Sequence, residues 1–151
     1  MSNVALLLET ACQSTARGLN WATVTDAQIL KGSSTPDGGY DGAESTVPLP
    51  CVIFHVTSAE PYVPRSQARR CRLQTIIRTQ RDDENEEDHK ARCDEVISAV
   101  RGEAFYVALK AFDGLTVLLS VEQGETETQT DRHFETVLEQ IIDAVPAAIR
   151  S

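Results

Sequence analysis

Three histidines and four cysteines are the residues of this chain best suited to metal ligation or nucleophilic chemistry. His89 and Cys93 stand four apart, a spacing that puts both on one face of a helix and within reach of one metal ion. No second closely spaced pair joins them. Cys51 and His55 are also four apart, but on a strand that spacing separates them by about 13 Å, too far to share an ion. For acid–base work, His89 has Glu86 nearby, and His133 has Asp131 and Glu135. Such neighbours are common in an acidic chain, and solvated helix or loop positions explain them as well. No cysteine is marked as a nucleophile by a histidine and orienting acid at diagnostic spacing. The stretch "SSTPDGG" opens no helix and lacks the lysine of a phosphate loop, and neither a dinucleotide fingerprint nor a nucleophile elbow is present. The expectation is therefore no enzyme activity, no cofactor and no metal, with His89 and Cys93 serving as core residues.

A different pattern is carried by arginine. In "RRCRLQTIIRTQ", Cys71, Leu73, Thr75 and Ile77 alternate with Arg70, Arg72, Gln74, Ile76 and Arg78. This is the period of a strand with one buried face, and the opposite face repeats positive charge. Like charges at alternate positions repel unless acids answer them. Two answers are open: weak pairing within the chain, or acids of a neighbouring subunit.

The elements that must hold these residues follow from spacing. Val4, Leu7, Leu8, Ala11 and Cys12 form one helical face, with Ser2 or Asn3 as cap and Gly18 as stop. "NWATVTDAQIL" reads as a short strand or an irregular turn that covers the core with Trp21, Val24, Ile29 and Leu30. Residues 32–47, rich in glycine and proline, read as a flexible loop. Pro50 opens the strand "CVIFHVTSAE", which forms an antiparallel hairpin with the arginine strand. From Asp82 the chain predicts a helix: acids crowd its start, Arg101 and Gly102 close it, and His89, Cys93, Val96, Ile97 and Val100 face inward. "AFYVALKAF" is open between strand and helix, and "GLTVLLSVEQG" is a strand. At the end, Phe134, Val137, Leu138, Ile141, Ile142 and Val145 have helical spacing.

With 151 residues the chain is one domain of ordinary apolar content, 41%. Its 14 basic residues against 23 acidic ones give a charge of −9, which disfavours wrapping nucleic acid. No apolar run approaches the roughly 20 residues that span a bilayer, and Glu9 interrupts the short apolar patch of a would-be signal peptide. Reduced thiols and folding in a cytoplasm are expected.

The segments "LPCVIFHV", "AEPY", "LQTIIRTQRDDENEEDHKARCDEVISAV" and "DRHFETVLEQIIDAV" occur in an order that resembles the tail-terminator (tail-completion) proteins of long-tailed bacteriophages. The resemblance spans Pro48 to Val145. It implies an α+β fold: a mostly antiparallel sheet with an N-terminal helix and a central helix packed on it. It also implies a closing strand at "ETVLEQIIDAV", against the helical spacing there, and the strand reading is preferred. Such proteins form a ring, typically a hexamer, at the head-proximal end of the tail. They end tail-tube polymerisation and meet the head-tail connector protein, and DNA passes through the channel without specific binding. The implied place is the virion, in the tail or neck, after assembly in the host cytoplasm. On this reading Arg70, Arg72 and Arg78, with Asp37, Tyr40 and Asp41 of the loop, contact a neighbouring subunit or the tube. The alternatives are another neck or head-completion protein, a small cytoplasmic enzyme using His89 and Cys93, and a monomeric adaptor whose hairpin edge binds a peptide by strand addition.

Overall fold

A computed structural model describes residues 4–32, 49–81, 86–129 and 133–146. The first helix, α1 (Val4–Gly18), buries Val4, Leu8, Ala11, Cys12 and Ala16, the apolar stripe that its spacing predicts, and stops at Gly18. The ambiguous segment after it resolves into a 3-10 turn (Asp26–Gln28) and a short strand, β1 (Ile29–Lys31). The hairpin follows as β2 (Cys51–Pro61) and β3 (Arg69–Gln80), antiparallel as expected, with Pro50 joined by a cis peptide to Leu49. Then come α2 (Glu86–Arg101) and α3 (Glu103–Lys110), the latter deciding "AFYVALKAF" in favour of a helix. Two long strands close the fold, β4 (Leu115–Gln129) and β5 (His133–Pro146), so the last segment is a strand despite its helical spacing.

The sheet order is β1-β2-β3-β5-β4, with β1 parallel to β2 and every other pair antiparallel. The fold is α+β. The three described helices pack on one face, where Leu8, Val96, Val100, Phe105 and Leu109 meet Val52, Phe54, Leu73, Ile77, Leu138 and Ile142. Phe54 and Phe105 stack with ring centroids 6.2 Å apart. Full burial of each aliphatic side chain here contributes roughly 1.5–3 kcal/mol before entropy is counted.

The far face of the sheet was expected to be polar, and this needs correction. At one end it holds a second apolar cluster of Cys51, Ile53 and Ile76, with Leu30, Leu49 and Val137 against it. From Thr75 to Thr79 every residue of β3 is buried, on both faces. At the other end Arg70 and Arg72 are exposed. Residues 82–85, from which the acidic helix was expected to start, and loop residues Asp37, Tyr40 and Asp41 lie outside the described residues. No described helix is long and apolar enough to cross a membrane.

Candidate functional site

Strand alternation sets Arg70, Arg72, Gln74 and Arg78 on the helix-free face of β3, and the same alternation on β5 sets Glu135, Glu139 and Asp143 there. The antiparallel register brings Arg70 opposite Asp143, Gln74 opposite Glu139 and Arg78 opposite Glu135. Arg70 donates from Nε and Nη2 to the two Asp143 oxygens at 2.9 Å each, a fork-to-carboxylate pair. That pairing holds the Arg70 guanidinium protonated beyond its ordinary range. The same guanidinium lies 4.8 Å above the Tyr62 ring. Arg72 Nη1 donates to Glu139 Oε1 at 2.7 Å, diagonally across the strands. Arg78 Nε donates to Glu135 Oε1 at 2.8 Å.

The arginines therefore find acids within the chain, along a ladder on β5. Of the two answers the sequence left open, this is internal pairing. It differs from the expectation of weak surface contacts at one position: the Arg78 side chain is only 2% exposed, whereas Arg70 and Arg72 are about half exposed. The acids Glu135, Glu139 and Asp143 were missed. Their four-residue spacing, even in number, places all three on one strand face and is a readable signal once the segment is taken as a strand.

Next to the ladder, β4 runs as the sheet's edge. Leu118, Leu119 and Val121 are 52%, 44% and 43% exposed, and Val121 stands opposite Ile141. Beyond them, Glu122 and Glu125 both receive Arg101, at the end of α2, with contacts of 2.8 Å from Nε and Nη2 respectively.

His89 and Cys93 do meet, as their helical spacing predicts, with Sγ 3.4 Å from Nε2. The imidazole is buried between two hydroxyls, Thr79 Oγ1 at 2.8 Å from Nδ1 and Thr136 Oγ1 at 2.9 Å from Nε2, and stacks on Phe134. Arg92, also buried, bonds Thr79 Oγ1 and the Thr23 carbonyl. Burial, then Arg92, pushes the His89 pKa down, and burial pushes the Cys93 thiol up. Both groups are thus held neutral, the opposite of a thiolate–imidazolium pair. A cavity of about 230 Å³ adjoins them, lined also by Lys90, Asp94 and Glu127.

The other pairings do not assemble. Glu86 turns to Lys90 at 3.4 Å. His133 is buried, and burial and Arg78 lower its pKa; Asp131 is outside the described residues. His55 stands 3.6 Å from buried Glu9, whose carboxylate accepts the Val56 N–H at 2.8 Å. Among the described residues no group of three His, Cys, Asp or Glu could hold a metal ion. The thiols of Cys51 and Cys71 are pushed up to about 11 by burial, as inert core cysteines are.

No protein-family model matches the chain, and no curated protein has significant sequence similarity to it.

Proposed function

We propose that this chain is a structural virion protein of the tail-terminator kind, acting through its surfaces and not by catalysis. Six copies form a ring at the head-proximal end of a phage tail, stop addition of tail-tube subunits, and present a face to the head connector. The observation that carries this reading is the one-sided sheet: among the described residues helices cover one face only, and the exposed part of the other face ends in the apolar run Leu118, Leu119 and Val121 on an edge strand. Exposed apolar side chains gathered on an edge are what one expects of a surface that meets other protein copies. The charge of −9 suits a channel wall past which DNA slides without being held. The resemblance of segments from Pro48 to Val145 supplies the particular assembly. Capping then works by shape: one ring face fits the tube end, and the other offers nothing a tube subunit can add to.

The test is to titrate the purified chain into polymerising tail-tube protein and measure tube lengths by negative-stain microscopy. Shortened tubes bearing a six-fold ring at one end are expected. Unchanged lengths with bare tube ends would overturn the proposal.

A further inference from the structure

The sheet has two margins with backbone groups turned outward. β4 bonds β5 on one side, and among the described residues nothing bonds its other side. At the opposite margin β1 pairs only Val52, Ile53 and Phe54 of β2. Just beyond it the Val56 N–H is taken by Glu9, and after that Thr57, Ala59, Glu60 and Pro61 are exposed. A strand margin of this kind is a template for another chain.

We infer that β4 of one copy pairs with the Thr57–Pro61 margin of the next copy, head to tail, so that the sheet continues from subunit to subunit. This rests on the ring reading above and adds the surfaces that close the ring. Strand direction supports it. β3 runs against β2, β5 against β3, and β4 against β5, so β4 runs opposite to β2. Rotation about an axis along the strands moves one copy to the next without reversing any strand, so β4 meets β2 as an antiparallel ladder.

Charge selects the same partner over a second β4. From Leu115 to Val121 β4 carries no charge, but Glu122, Glu125 and Glu127 follow. Arg101 of the same copy answers Glu122 and Glu125, so two β4 margins brought together double the Glu127 charge along one seam. The β2 margin instead brings Lys31, at the end of β1 beside Phe54, towards the end of β4 that carries its glutamates. Shape agrees as well. In the antiparallel ladder β4 must bend away where β1 begins. It has a bulge between Glu122 and Gly124, and Gly124 has φ +153°, where a side chain is rarely accepted.

Ala59 and Ser120 both lie on the helix-bearing face, so cysteines there can meet across the seam. In a Cys93→Ser background, Ala59→Cys and Ser120→Cys copies are mixed and mildly oxidised. A linked pair that forms only from the mixture is expected, and the doubly substituted chain should give a ladder ending at the closed ring. Linking of Ser120→Cys with itself would overturn the inference, as would no linking at concentrations where light scattering shows assembly. So would a wild-type chain that stays monomeric at every concentration. In parallel, Leu119→Lys with Val121→Lys should shift the mass to monomer with an unchanged circular dichroism spectrum; retained assembly would overturn the inference. A linked ring that leaves tube length unchanged would sink the tail reading and keep the seam. A tube-arresting ring without the 59–120 link would do the reverse.

Discussion

Arg72 and Arg78 are two positions with the same charge on the same strand face, yet their energetics diverge. Arg72 is about half exposed, so its bond to Glu139 competes with water, and Arg72→Ala should cost less than about 1 kcal/mol. Arg78 is 2% exposed and bonded to a Glu135 side chain that is 20% exposed. Arg78→Met removes the partner and strands the carboxylate, a loss of roughly 3 kcal/mol. Urea denaturation of both variants checks the ordering; equal midpoints would show that the Arg78 pair is not the tighter contact. His89 gives a second expectation at this scale. Burial and Arg92 lower its pKa in the fold, opposed by Glu127 and Glu86, while the unfolded imidazole keeps a value of about 6.5. Below that pH the unfolded chain takes a proton that the folded chain resists, so stability present at neutral pH falls as pH drops through about 6.5. His133 shifts the same way, so the decline has two sources. His89→Gln should therefore flatten the fall in melting temperature between pH 7 and pH 5. An unchanged slope would place the dependence elsewhere.

At the scale of elements, Gly32 shows how β1 is seated. A Cβ at this position would stand 2.6 Å from His55 Cγ and 2.8 Å from His55 Cβ, closer than packed atoms allow. Gly32→Ala should destabilise by about 1–3 kcal/mol. His55→Ala should recover part of that loss in the double variant, as thermal melts of the four-member cycle would reveal; strictly additive effects would refute the contact. How far such elements were legible varies for physical reasons. α1 and α2 could be read because each buries a single stripe, and the arginine strand because it alternates over its first half. β5, for which the strand reading is preferred, still shows helical spacing because it lies between β3 and β4, with Leu138 and Ile142 facing the helices while Val137 and Ile141 face away. Apolar residues on both faces of a strand imitate the three-and-four spacing of a helix. Eight-residue α3 and three-residue β1 are too short to show any period. Buried Glu9, Arg78 and Arg92 were illegible for another reason: their partners Val56, Glu135, Thr23 and Thr79 lie 13 to 69 residues away in sequence, and only the fold brings them close. For the candidate site, the place of the arginines on one strand face was legible, while the burial of Arg78 and the pairing with Glu135, Glu139 and Asp143 were not, since these depend on β5 lying beside β3.

For the molecule as a whole, order of synthesis and order in space disagree. β5 is the last described strand to leave the ribosome, but it occupies an interior place between β3 and β4. Until it emerges, the nascent chain has a β1-β2-β3 half whose β3 side lies bare, and a β4 with nothing to zip onto. The sheet therefore cannot be completed before β5 is made, and the half-made product exposes unpaired strand backbone for the seconds that translation takes. In a cell making many copies at once, that interval favours a chaperone as the chain's first companion, before any sister copy.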